Sequence, residues 1–307
     1  MPHTFVVTGA TSFLGARLAG QLLAEGNKVY AVCRNNGKAD TVLGRHERLL
    51  VVTASLDDYP TLAPAIGHAD VFVHLAWEGT GHQGRNANDI QQANIQHADE
   101  AMQLARQLGC QLFVMAGSQA EYGTQLQRID EQTACQPFSE YGKAKLEVCR
   151  RGFAFAEQQG MKYMHLRIFS LYGEGDHEWT LVMSSISRML RNEPMPLSPC
   201  TQQWNFLYVG DAVRQIDLLC LHALERSDFQ HEIYNIASDD TRPLRSFVED
   251  IKRLTRSDSE LQFGAITPQQ TVSLNPDMSK VRDAIHFVSQ APFDDIISKI
   301  IHSQQAT

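Results

Sequence analysis

Between residues 5 and 168, short apolar runs alternate with longer amphipathic stretches. This is the rhythm of a parallel sheet whose crossover helices cover both faces. The apolar runs predict strands over 4–8, 28–33, 49–53, 71–75, 111–116 and 162–168. Between them, apolar residues recur at three and four positions, as in Leu14, Leu18 and Leu22, and predict helices over 13–25, 90–108 and 139–159. Gly26 and Gly109 stand as stops behind the first two. A Gly- and Gln-rich stretch over 78–92 interrupts the alternation and reads as an exposed loop near a site.

After Gly173 the rhythm loosens into a helix over 180–191, a segment with Pro194, Pro196 and Pro199, a strand near 205–209 and a helix over 211–224. The last thirty residues predict amphipathic helices parted at Pro292. The pattern predicts a doubly wound parallel α/β sheet over 1–173. A smaller lobe occupies most of 174–307, interleaved with segments that return to the main sheet.

Composition narrows the function classes. With 43% hydrophobic and 20% charged residues the chain reads as an ordinary globular protein. Its formal charge of −8, from 27 basic and 35 acidic residues with no basic tract, argues against nucleic-acid binding. No apolar run approaches a membrane span and no signal-peptide layout opens the chain, so a cytoplasmic protein is expected. The six cysteines form no C-x-x-C pair and the twelve histidines no H-E-x-x-H cluster, so neither disulfides nor a metal site is expected.

Three motifs carry chemistry. Thr8-Gly9-Ala10-Thr11-Ser12-Phe13-Leu14-Gly15 lies between the first strand and the first helix, where free N–H groups at a helix start can hold the phosphates of a dinucleotide. Ser12 replaces the usual middle glycine and could donate its hydroxyl to phosphate; a tight turn without a ligand is the competing reading. At the end of the second strand stands Arg34, where a carboxylate would mark NAD. Its planar fork of donors suits a 2′-phosphate, whereas a solvated loop arginine is the alternative. In Tyr141-Gly142-Lys143-Ala144-Lys145, the four-residue spacing puts Tyr141 and Lys145 on one helix face, and Ser118 ends the preceding strand at the same sheet edge. An adjacent ammonium lowers the pKa of a phenol, so the three can form a proton-transfer unit. A surface Tyr and Lys without such a role are the bland alternative.

In this order, these residues resemble the extended short-chain dehydrogenase/reductase superfamily, in its nucleotide-sugar epimerase, dehydratase and reductase branch. The resemblance spans nearly the whole chain and includes His74-Leu75-Ala76, Asn94, the run from Leu166 to Gly173, the run from Asn205 to Asp211, and Tyr234-Asn235-Ile236. It implies a Rossmann fold with a C-terminal substrate lobe, bound NAD or NADP, and a transient sugar ketone at the nicotinamide. It further implies catalytic Ser118, Tyr141 and Lys145. A cofactor would be held by Gly9, Thr11, Ser12, Phe13, Leu14, Gly15, Arg34, Leu75, Ala76, Tyr141, Lys145 and Ile168. Substrate contacts are expected at Ser118, Gln119 and Ser170; Arg85 and His177 are further candidates for which a solvated loop residue is the competing reading, while His74 reads as a packed strand-end residue.

Departures from the family pattern narrow the chemistry. Where dehydratases resemble S-T-D-E-V-Y-G, this chain reads Gly117-Ser118-Gln119-Ala120-Glu121-Tyr122-Gly123, so the acid–base pair that removes water is replaced by Gln119 and Ala120. Glu121, one position beyond, should point elsewhere. Trp204-Asn205 and Ser170 replace residues that usually contact a diphosphate, and Ser55 stands where an Asp often approaches adenine. The reading that follows is an NADP-dependent reductase of a 4-keto-(6-deoxy) nucleotide sugar, with a homodimer as a possible assembly. An NAD-dependent 4-epimerase is the alternative, and a non-catalytic dinucleotide sensor the third.

Overall fold

The computed structural model describes residues 2–81, 83–268, 272–289 and 292–305. Its first half contains β1 (Thr4–Thr8), α1 (Phe13–Ala24), β2 (Lys28–Cys33), α2 (Asn36–Leu43), β3 (Leu49–Thr53), α3 (Ala63–Ile66) and β4 (Val71–His74). Next come α4 (Asn88–Gln107), β5 (Leu112–Ser118), α5 (Glu140–Gln159) and β6 (Lys162–Ile168). The rest of the chain holds β7 (Ser170–Tyr172), α6 (Leu181–Leu190), β8 (Met195–Leu197), β9 (Gln203–Tyr208), α7 (Val209–Glu225) and β10 (His231–Ile236). It ends with β11 (Thr241–Pro243), α8 (Leu244–Thr255), β12 (Leu261–Phe263), α9 (Ser279–Ile285) and α10 (Phe293–Gln305).

Seven parallel strands pair in the order β10-β6-β5-β4-β1-β2-β3. From β1 the chain winds outward through β2 and β3, then returns to build β4, β5, β6 and β10 on the other side. The order therefore reverses between β1 and β4, and the crevice at that switch point lies beyond the carboxyl ends of the strands. Side-chain period decides what each face buries. Phe5, Val7, Val73 and Val114 pack with Leu18, Leu22, Ile216 and Leu219 of α1 and α7. Their neighbours Val6, Phe72, Phe113 and Met115 pack with Ile95, Met102 and Val148 of α4 and α5. Full burial of each such side chain contributes roughly 1.5–3 kcal/mol.

A third core lies among α6, β9, α8 and α10, where Ile186, Met189, Phe206, Phe247, Ile297 and Ile300 cluster. Asn205 explains part of the family departure. It is fully buried, donates to Ser238 O (2.8 Å) and Thr241 Oγ1 (2.9 Å), and accepts from Ser238 N (3.0 Å). Its side chain ties β9 to the 238–241 turn and is fully used by the fold.

Several elements differ from expectation. β5 continues to Ser118, two residues past the predicted end, and α4 starts at Asn88, which shortens the predicted loop. The three-residue strands β7, β8, β11 and β12 carry too few positions to show a period. Among the described residues, no helix is long and apolar enough to cross a membrane. None of them forms a group of three or more His, Cys, Asp or Glu that could hold a metal ion.

Candidate active site

The turn after β1 is shaped by two glycines. Gly9 has φ +66°, and a Cβ there would stand 2.9 Å from Ala76 N; a Cβ on Gly15 would stand 2.2 Å from Gly9 O. Gly15 therefore lets α1 close onto the turn and lies buried behind it. Ser12 is the N-cap of α1, and its Oγ accepts from Gly15 N at 3.0 Å. That leaves its hydroxyl proton, with the first-turn N–H groups of Phe13 and Leu14, for an anion. Thr8 Oγ1 ties this strand end to β4 through His74 Nδ1 (2.9 Å), Leu75 N and Ala76 N (both 3.2 Å). His74 is a packed residue, as expected; burial, with Lys145 and His97 nearby, takes its pKa down to about 3.

A cleft of about 560 Å³ runs over this turn. Gly9, Thr11, Ser12, Phe13, Leu14, Arg34, Leu75 and Ala76 line it, together with Arg85 and His177. These residues fit a dinucleotide: the close-packed glycines leave a cradle over an open helix start, and the volume is that of a small-molecule site. At one end Arg34 Nη1 donates to Glu78 Oε1 at 2.9 Å, with both side chains more than half exposed. Ser55 is engaged in a capping box with Asp58 Oδ2, at 2.7 Å from both its N and Oγ.

The other end opens into a cavity of about 290 Å³ that brings together Ser118, Gln119, Tyr141, Lys145, Ile168, Ser170 and Arg85. Ser139 caps α5 by accepting from Gly142 N at 3.1 Å, which places Tyr141 in the first turn and Lys145 one turn later on the same face. Lys145 Nζ donates to Ala116 O (2.7 Å) and sits 3.5 Å from the ring centre of Trp77. Arg85 lies over the Tyr141 ring at 4.4 Å, closer than Lys145 at 5.7 Å. Trp77 is itself pinned: its Nε1 donates to Gln91 Oε1 (2.9 Å), and Gln91 Nε2 donates to Gly79 O (3.2 Å) and Gly84 O (2.8 Å).

The charges differ from the sequence expectation. Burial raises the Tyr141 phenol above its ordinary value, while Arg85 and Ser118 work to lower it. Burial also takes Lys145 well below the usual lysine value, although the Glu121 carboxylate favours its charge. The cation facing the phenol in this structure is Arg85, because Lys145 is turned to Ala116 and Trp77.

Glu121 points elsewhere, as expected, but its destination was not legible. It lies fully buried beneath the site, accepting from Ser118 N (2.8 Å) and His165 Nε2 (2.9 Å) on one oxygen and Arg167 Nε (2.9 Å) on the other. Burial alone would raise its carboxyl, yet His165, Arg167 and the Ser118 N–H bring it down to about 2. Burial likewise opposes a charge on His165, and the Cys149 sulfur with the Glu121 carboxylate overcomes it, raising the pKa to about 9. A signal was present: His165 and Arg167 stand two apart on β6, on one face of a strand whose other interior residues, Tyr163, Met164 and Leu166, are apolar or aromatic. His177 is the substrate candidate that parts from the others: it lines the cleft but not the described walls of the cavity around Tyr141.

Comparison with known proteins agrees with this geometry. Residues 5–237 match the family model described as NAD dependent epimerase/dehydratase family. The chain is 23% identical over 285 residues to a CDP-abequose synthase of Yersinia pseudotuberculosis, covering 92% of this chain and 94% of that protein. It is 23% identical over 249 residues to a dTDP-6-deoxy-L-talose 4-dehydrogenase (NAD(+)) of Aggregatibacter actinomycetemcomitans, covering 80% and 88%. Its fold superposes with a TM-score of 0.82 on the UDP-glucuronic acid 4-epimerase of Bacillus cereus in complex with NAD, at 19% identity, covering 98% and 99%. A glycine turn at the switch point, a Tyr–Lys pair on the helix after the fifth strand and a family match over most of the chain converge: this protein belongs to the NAD-dependent epimerase/dehydratase family, as an enzyme of the extended short-chain dehydrogenase/reductase type.

Proposed function

We propose that the protein reduces the ketone of a 4-keto-6-deoxy nucleotide sugar, with NADPH as the hydride source. The observation that carries this reading is the absence of any carboxylate among the described residues lining the reaction cavity, beside an intact Ser118, Tyr141 and Lys145. Elimination of water needs an acid and a base next to the sugar. Here Gln119 stands at the wall, Ala120 is buried, and the nearby Glu121 is locked below the floor by His165 and Arg167. A 4-keto-6-deoxy sugar would therefore reach this site ready made, from a separate reaction that removes water and leaves the keto group.

The bound cofactor supplies the hydride. Tyr141 donates its phenolic proton to the carbonyl oxygen, which becomes the alcohol. Ser118 hydrogen-bonds that oxygen and orients it, and Arg85 stabilises the phenolate left behind. Lys145, freed from Ala116, would hold the nicotinamide ribose. Arg34 at the rim of the cleft supports a 2′-phosphate and so NADPH.

A second reading, an NAD-dependent 4-epimerase, draws on Glu78, whose carboxylate pairs with Arg34 and offsets its charge. An epimerase returns the hydride to its substrate and consumes no cofactor. NMR of the products decides between them. The reductase reading expects stoichiometric NADPH oxidation on the keto sugar and no C4 inversion of a saturated nucleotide sugar; inversion without net NADPH oxidation would overturn it.

A further inference from the structure

Arg85 and His177, paired in the sequence as substrate contacts, are separated by the cavities. Arg85 lines both the cleft and the reaction cavity. His177 lines the cleft and an adjoining groove of about 1060 Å³ along α1 and α7. In both of these Thr11, Ser12 and Phe13 accompany it, the segment whose N–H groups suit an anion. The imidazole stacks on Trp179, with ring centres 4.1 Å apart and planes at 11°.

The loop that carries His177 is fastened on both sides. His177 N donates to Asp176 Oδ1 (2.7 Å), and Thr180 Oγ1 donates to Asp176 Oδ2 (2.9 Å). Arg17, on the second turn of α1, donates to Glu174 O (3.0 Å), while the Tyr208 hydroxyl donates to Glu174 Oε2 (3.2 Å). The loop is thus tied to the same helix whose first turn faces the cleft. The other basic side chains on the described cleft wall are Arg34 and Lys38, beside the end of β2, and Arg85, beside Tyr141. The stretch between those two ends is where a dinucleotide carries its diphosphate.

We propose that His177 is a diphosphate-binding residue of the cofactor site. Its imidazole N–H donates to a phosphate oxygen, sharing the anion with the N–H groups of Phe13 and Leu14, and Trp179 holds the ring plane in place. This rests on the cleft taking a dinucleotide, but on neither the identity of the sugar nor the choice between NAD and NADP.

Titration calorimetry on the full chain tests it, with NADPH, NADH, ADP-ribose, adenosine 2′-monophosphate and UDP as probes. His177→Ala should weaken the first three alike by about tenfold or more, the size of a lost hydrogen bond to a charged group. Adenosine 2′-monophosphate, which has no diphosphate, should bind both proteins equally. His177→Gln, which keeps a donor, should recover part of the loss, and Trp179→Leu should lose part of the affinity with the imidazole still present. Unchanged thermal unfolding of the variants assigns any loss to binding. Equal ADP-ribose affinity in wild type and His177→Ala would overturn the inference, as would a loss confined to UDP, which would return His177 to the substrate. If the wild-type protein bound no dinucleotide and no ADP-ribose, the cofactor reading itself would fall, a result distinct from either.

Discussion

The two ends of the cleft are built on opposite electrostatic terms. Beneath the reaction end, Glu121, His165 and Arg167 are at most 3% exposed, and their charges hold the strand end that presents Ser118. At the other end Arg34 and Glu78 form a single pair with side chains 73% and 51% exposed. A buried charge cannot be left unpaired without a large cost, whereas water screens an exposed one. Protonation and position are therefore fixed beneath the candidate active site. The charges of the exposed pair can change without disturbing the fold, and on the proposed reading they are the ones that would set cofactor preference.

The strongest way to break this comparison is Glu121→Ala, which strips His165 and Arg167 of their shared partner. It should cost about 3–5 kcal/mol of stability in urea unfolding, while Arg34→Ala should stay within about 0.5 kcal/mol of wild type. Similar losses for the two would erase the distinction. Next in size is chemistry at the buried end. Tyr141→Phe should cut turnover of the keto sugar by about 10²-fold or more with cofactor affinity almost intact; near-normal turnover would remove the phenol from the proton transfer.

The buried end also contains a built-in contrast in pH response. His165 has a folded pKa raised from 6.5 to about 9, so its contribution is complete below pH 6.5 and is lost as pH rises through about 9. His74 has a folded pKa lowered from 6.5 to about 3, so its contribution is complete above pH 6.5 and is lost as pH falls from there toward 3. Urea midpoints measured across this range should fall on both sides of a maximum near neutrality. His165→Gln should flatten the alkaline slope and leave the acid slope, and an unaltered alkaline slope would show that His165 is not charged in the folded protein.

The smallest effects belong to the exposed end. Arg34→Ala should weaken NADPH by about tenfold and NADH barely, and Glu78→Gln should tighten NADPH by about twofold to fivefold, the scale of a surface ion pair. Fluorescence titration with both cofactors reads this directly, and tighter NADH binding by the unmodified protein would reverse the assigned preference.

Local pattern was sufficient for much of the molecule, for definable reasons. β1, β2, β4, β5 and β6 bury both faces, so their apolar runs stand out against the helices between them, whereas the edge strand β3 leaves Leu50 exposed; Leu14, Leu18 and Leu22 mark α1 by period alone. Tyr141 and Lys145 share a helix face because four residues make about one turn. The glycine turn is local only in part: Gly15 is required by the close approach of Gly9 O, whereas the crowding at Gly9 comes from Ala76, 67 residues away. α8 likewise repeats apolar residues at 244, 247, 248 and 251, the period of a helix, while β8 and β12 have three residues each and no detectable period.

What the chain order does not contain is which charges meet. Glu121 and Arg167 are 46 residues apart, and β5 and β6 must pair in register before Gly117 lies opposite Arg167 and a carboxylate just beyond it can hold the guanidinium. Local reasoning placed Lys145 against the Tyr141 phenol. The folded chain instead turns Lys145 toward Ala116 and Trp77 and brings Arg85 over the ring, 56 residues away in sequence. Likewise His177 parts from Arg85 because the loop after β7 is tied to α1 through Arg17. Residue types and short spacings follow from the chain itself, since they depend on helix pitch and strand alternation. Partners across long loops depend on the packing of whole elements, and that is where the protonation states of this site are set.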